Sequence, residues 1–241
     1  MEIVLTEEEI KEYNDEITAY NVMRRFEEEL NSERSYTHDA YQEDLKVNDC
    51  VKFLTEEAIN HERNITMDLE DILPADCHFE GLDNRIKKEK RIKQKLVEDA
   101  RKKYGNDYLY ASSHLYDTLR YTVILPFENH FDYLDNFLND LLDKDYRIYR
   151  VKNRWTDDFC KGVSVVVQDP TGYAFEIQFH TQENYDVKEI YSREPYLISR
   201  DPLAPNNLKD KANCLRSYYH RLVTLPAGAE TYTFKKRTVE K

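Results

Sequence analysis

Glycine and proline are scarce, with five and seven residues in a chain of 241. That scarcity excludes long flexible linkers and leaves one compact unit as the expectation. No internal repeat is evident. The four cysteines, Cys50, Cys77, Cys160 and Cys214, show no Cys-x-x-Cys spacing, which argues against a thiolate metal knuckle or a disulfide framework and makes free thiols in a reducing compartment the default. The histidines are scattered, with no pair at the spacing of a zinc site. No apolar run approaches the roughly twenty residues of a membrane span, and Met1-Glu2-Ile3-Val4 does not begin a signal peptide. A soluble, cytoplasmic protein without membrane contact is expected, with export as an effector by a specialised route left open. Positive charge is also in deficit. With 35 Lys and Arg against 47 Asp and Glu the net charge is -12, which disfavours broad contact with nucleic acid.

What is present suffices for a core: 40% of residues are hydrophobic and nineteen are tyrosine, so disorder is expected only near the ends. The N-terminal third reads as helix. It opens on a capping box, Thr6-x-x-Glu9, and continues through Ile10, Tyr13, Ile17, Tyr20, Phe26 and Leu30 at roughly helical spacing. Residues 41–60 continue in that manner, and Thr66 is expected to cap a short helix before Pro74. Further on, Leu134, Phe137, Leu138, Leu141 and Leu142 fall on one helical stripe between strand-like segments near Tyr121 and over 146–155. Residues 163–167 and 173–181 read as a hairpin around Asp169-Pro170-Thr171-Gly172, and helices are expected from about Asn184 and Leu208. The fold class expected is α/β (α+β): a mixed sheet of about five strands flanked by helices, with a helical N-terminal region (1–78), a core domain (79–225) and a tail (226–241).

Three segments carry chemistry. From Tyr173 to Thr181 the residues alternate at the period of a strand, so Tyr173, Phe175, Ile177 and Phe179 point one way and Glu176, Gln178 and His180 the other. A carboxylate, an amide and an imidazole on one wet face look built to hold something. Second, Asn84 to Leu96 is a basic run in an acidic chain. Read as a helix, it sets Lys87, Arg91 and Lys95 on one side and Ile92 and Leu96 toward the core, a stripe suited to polyphosphate, although a basic helix is often only a solvated face. Third, Tyr116-Asp117 precedes the strand-like run 119–125. An aspartate there is commonly a cap or turn residue. Beside Glu176 and opposite the cations, it becomes one of two carboxylates able to hold Mg²⁺ against nucleotide phosphates.

The order of basic helix, Asp-headed strand and Glu-x-Gln-x-x-Thr strand resembles the synthetase domain of the RelA/SpoT alarmone enzymes, over roughly 81–200. The resemblance implies a RelA/SpoT synthetase-like fold. It also implies Mg²⁺-dependent transfer of pyrophosphate from ATP to the 3′-hydroxyl of an acceptor nucleotide, GDP, GTP or an adenine nucleotide. On it, Arg85, Lys87, Arg91 and Lys95 hold the triphosphate, Asp117 anchors the metal, and Glu176 completes the metal site and takes the proton from the attacking hydroxyl. Gln178, His180, Lys161, Arg120 and Arg200 are acceptor-side or secondary candidates. No His-Asp hydrolase motif is present, so synthesis without degradation is expected.

The chain departs from the family where acceptor choice is made. The loop that presents a Tyr after Gly to stack on guanine reads Lys161-Gly162-Val163-Ser164, and valine offers no π-face. Phe159, Tyr173 or another aromatic is the alternative, as is a different acceptor. A family arginine is replaced by Thr122, with Arg120 two residues away on the same face, and His180 stands where another arginine is common. The pattern looks like a divergent branch with phage-linked and toxin members, so an antitoxin or immunity partner and a tRNA 3′ end are further partners to weigh. A silent nucleotide sensor is the reading from another class. Lys188 and Tyr196 also resemble residues of that branch, although Lys188 and Arg200 read equally as exposed helix charges.

Overall fold

The computed structural model describes residues 4–31 and 38–237, excepting the side chains of 26–31 and 38–44. Phe26, Leu30 and Tyr41 therefore lie outside the side chains described. Five strands form one mixed sheet: β1 (His78–Glu80), β2 (Arg120–Ile124), β3 (Arg147–Asn153), β4 (Val163–Gln168) and β5 (Ala174–His180), in the order β1-β2-β5-β4-β3. β2 and β5 run parallel and the other neighbours antiparallel. The helices are α1 (Glu7–Asn31), α2 (His38–Asp71), α3 (Glu89–Lys103), α4 (Tyr108–Ser112), α5 (His130–Asp143), α6 (Gln182–Asp186), α7 (Arg193–Arg200) and α8 (Asn206–Leu222), with a π-helical turn over Val187–Tyr191.

The two-residue period of β2 and β5 produces the two faces of the sheet. The pairing sets Tyr121 opposite Ile177 and Val123 opposite Phe179, and all four are almost wholly buried. α5 covers this apolar face with Leu134, Phe137, Leu138 and Leu141, all fully buried. The intervening pairs, Arg120 with Glu176 and Thr122 with Gln178, lie on the other face. The β4–β5 hairpin turns where expected: Gly172, at φ 104°, is free to adopt that backbone, and Asp169 Oδ1 accepts from the amides of Thr171 and Tyr173 at 2.9 and 2.8 Å.

α1 starts on its capping box, with Thr6 N donating to Glu9 Oε2 at 2.8 Å and Glu9 N to Thr6 Oγ1 at 3.2 Å. It packs through Ile17 on Ile198, Leu208 and Leu215 of α7 and α8. α2 reaches the main core through Ala58, Ile65 and Leu69, and cradles α3 through Val47, Val51 and Leu54. The helix runs through Thr66, so the expected cap there is corrected. Thr66 Oγ1 bonds Glu62 Oε1 and the Tyr121 hydroxyl, each at 2.7 Å, a tertiary contact that no local pattern encodes. The tail returns over α5, where Asn139 Nδ2 donates to the Lys235 carbonyl at 3.0 Å.

Candidate active site

The basic run divides into a strand-like entry and a helix. α3 begins only at Glu89, behind the cap residue Lys88, so Lys87 does not share a helical stripe with Arg91 and Lys95. Instead residues 85–87 pair with the entry to β2. Lys87 N donates to the Thr118 carbonyl at 2.9 Å, Arg120 N donates to the Arg85 carbonyl at 2.8 Å, and Ile86 bridges Leu119. That pairing places Lys87 beside Asp117. The helical half is as expected: Ile92, Leu96 and Ala100 are fully buried at four-residue spacing, which turns Lys95 toward Asp117.

Lys87 Nζ and Lys95 Nζ both meet Asp117 Oδ2, at 2.5 and 2.6 Å. The aspartate side chain is 12% exposed and that of Lys87 18%. Burial pushes the Asp117 carboxyl up, but the two ammonium groups outweigh it and hold the pKa down at about 2. Burial lowers Lys87, against the charge of Asp117 that raises it. The other Asp117 oxygen, Oδ1, is buried and has no hydrogen-bond partner. An ionised carboxylate with one clamped and one vacant oxygen costs free energy unless an electropositive group meets it.

Glu176 is fixed from two sides. Its amide donates to the Leu119 carbonyl at 3.1 Å, two residues from Asp117, and its Oε1 accepts from Gln178 Nε2 at 2.6 Å. Lys188 Nζ donates in turn to Gln178 Oε1 at 3.0 Å. Asp117 and Glu176 supply the hard oxygen donors that Mg²⁺ takes, and Mg²⁺ is commonly held by one or two carboxylates with water and substrate phosphate completing the shell. Among the described residues no three His, Cys, Asp or Glu gather into a group that could hold a metal ion.

The other candidates stand apart from this centre. Arg85 Nε pairs with Glu62 Oε1 at 2.6 Å and its Nη1 donates to the Leu82 carbonyl, which directs it to α2. Arg91 is exposed and pairs with Gln94 Oε1 at 3.1 Å. Arg200 pairs with Glu98 on the outer part of α3. Lys161 Nζ donates to the Trp155 carbonyl at 2.8 Å.

His180, expected on the wet face, is 2% exposed. Asn184 Nδ2 donates to its Nδ1 at 2.6 Å, and burial lowers its pKa well below 6.5. The strand ends there and α6 closes over it, which alternation alone does not reveal. Tyr173 is not an acceptor platform, because it stacks on His61 at 4.4 Å beside the hairpin. Phe159 is 42% exposed and lies on the Arg216 guanidinium, 5.1 Å from ring centroid to carbon. Lys188, which in sequence resembles a residue of the divergent branch but reads equally as an exposed helix charge, is brought onto the sheet face by the π-helical turn, which has no sequence signature. Two concavities elsewhere, of about 390 Å³ beyond the ends of β2 and β5 and about 360 Å³ beside α2, include neither Asp117 nor Glu176 and offer no converging cations.

No family model and no curated protein matches the chain. Solved structures similar to it include the small alarmone synthetase 1 from Bacillus subtilis, at 17% identity and TM-score 0.42 over 76% of this chain and 92% of that one. A GTP pyrophosphokinase family protein from Streptococcus pneumoniae is 18% identical, with TM-score 0.37 over 72% of this chain and 85% of that one. The type VI effector Tas1, solved with its immunity protein, is 15% identical, with TM-score 0.43 over 70% of this chain and 95% of that one. Likenesses this distant carry no inference about activity, which rests on the residues just described.

Proposed function

We propose that the chain transfers a pyrophosphoryl group from ATP to the 3′-hydroxyl of an acceptor nucleotide, giving products of the (p)ppGpp or (p)ppApp type. The observation that supports this most is Asp117, an ionised carboxylate with two lysines on one oxygen and none on the other, set beside Glu176 on a polar sheet face. The 3′ oxygen forms a bond to the β-phosphorus of ATP while the bond from that phosphorus to the α,β-bridging oxygen breaks. AMP leaves with the bridging oxygen, and the hydroxyl proton passes to Glu176. Gln178 orients that carboxylate by donating to Oε1, leaving Oε2 for the hydroxyl. Lys95, with 38% of its side chain exposed, and Lys87 neutralise donor phosphate charge as it approaches. Asp117 and Glu176 would hold Mg²⁺, which would supply further neutralisation of the donor phosphates. Such a transfer needs positioning and charge compensation more than covalent chemistry.

The acceptor base is a purine of either kind on this reading. Val163 is 1% exposed and supports no stacking role, so guanine has no evident advantage over adenine. The test is a pair of variants. Glu176→Gln should keep the fold and lose turnover by about 10² to 10⁴-fold, the usual worth of general-base catalysis. Asp117→Asn should weaken the Mg²⁺ dependence of ATP binding as well. Full turnover in Glu176→Gln would overturn the assignment.

A further inference from the structure

The polar face holds two further cations beside Glu176 and Gln178. The π-helical turn, closed by Ser192 N donating to the Val187 carbonyl at 2.9 Å, is one residue wider than an α-turn, and such turns recur at functional sites. It delivers Lys188 to the sheet with only 22% of the side chain exposed. There its ammonium has the neutral Gln178 Oε1 at 3.0 Å, Glu189 Oε1 at 3.5 Å and the Tyr185 ring at 5.8 Å. Glu189 is shared with Arg193 at 3.6 Å, so it does not neutralise Lys188 alone. Arg120, in register with Glu176 on the neighbouring strand, makes no side-chain hydrogen bond or ion pair among the described residues. Burial lowers the pKa of Lys188, and the charge of Arg120 lowers it further; Arg120 acts on Lys87 in the same sense.

Two incompletely compensated cations on one largely buried face cost stability that apolar residues would not. We propose that Arg120 and Lys188 form a second anion subsite, which takes the terminal phosphate groups of a nucleoside diphosphate or triphosphate acceptor. The proposal rests on the transfer reading above for the identity of the anion as acceptor. Its spatial basis is independent of that reading: Lys188 on Gln178, Gln178 on Glu176, and Arg120 across the parallel pairing from Glu176. Occupancy there sets an acceptor beside Glu176.

The test is direct binding by calorimetry without Mg²⁺, with inorganic pyrophosphate, GDP and ADP as separate probes against wild type, Lys188→Met and Lys188→Arg. Loss of one charge-assisted phosphate contact should weaken all three probes roughly tenfold or more in Lys188→Met, with recovery in Lys188→Arg. Thermal unfolding separates this from a structural role, since removing an incompletely paired ammonium should leave the melting temperature unchanged or raise it. Equal binding of the probes by wild type and Lys188→Met overturns the subsite, as does a lowered melting temperature without recovery of binding in Lys188→Arg. Lys188-dependent binding in a protein that transfers nothing from ATP would instead sink the transfer reading and leave the subsite standing.

Discussion

Replacing Lys87 by methionine isolates the electrostatics on which the candidate centre depends. In the wild type, Asp117 falls from its ordinary pKa of 3.8 to about 2. At about 1.4 kcal/mol per tenfold change in acid dissociation, that is about 2.5 kcal/mol of stability linked to its ionisation. The folded pKa is the depressed one, so this contribution is complete above about pH 4 and is lost as pH falls toward 2. Methionine keeps the bulk of the lysine stem and leaves Asp117 with Lys95 alone. Breaking a buried pair outright typically costs about 3–5 kcal/mol. Here one cation remains, and the burial cost that lowers Lys87 is relieved, so the net loss should be about 1–3 kcal/mol at pH 7. Guanidinium unfolding at pH 7 and pH 4, with carboxyl NMR titration of Asp117, measures both quantities. The carboxyl should titrate above its wild-type value, and the stability gap should close below pH 4. An unchanged Asp117 titration together with unchanged stability would refute the clamp.

Other perturbations address the scaffold around the site. Gly162→Ala should destabilise the protein by several kcal/mol, because the backbone there is at φ 113° and an added Cβ would lie 2.6 Å from His180 Nδ1 and 2.7 Å from the Phe179 carbonyl oxygen; a melting temperature within a degree of wild type would contradict that packing. Acid should weaken the fold in two stages. Burial depresses His130 and His220 from 6.5 to about 4, so the unfolded chain binds protons first and stability falls between pH 6.5 and 4, before Asp117 titrates. A denaturation midpoint that stays constant over that interval would rule out the upper stage. Ile92→Ala, removing a fully buried side chain of α3, should cost about 2–5 kcal/mol and loosen Lys95, read as a rise in the Asp117 titration; a loss below 1 kcal/mol would place α3 outside the core.

Period-two alternation made the faces of β2 and β5 legible in the sequence, since Tyr121, Val123, Ile177 and Phe179 need only be apolar at the right spacing to define the core side. The capping box at Thr6 and the turn at Asp169 were legible for the same local reason. Positions decided by tertiary contact were not. Lys87 reads as helical by spacing, yet its backbone pairs with Thr118. Thr66 reads as a cap, yet it sits in mid-helix against Tyr121. His180 obeys the alternation and still escapes the wet face, because Asn184 and Gly162 close over it. Lys188 depends on a helical register that no residue pattern announces.

The central account is tested most directly by incubating the protein with Mg²⁺, γ-labelled ATP and, separately, GDP, GTP, ADP, AMP and tRNA, and resolving the products beside Glu176→Gln. Label transfer to a nucleotide with equal formation of AMP, absent from the variant, is the predicted result. Release of labelled inorganic phosphate with ADP in place of AMP, or no transfer to any acceptor by protein that binds Mg-ATP, would contradict it.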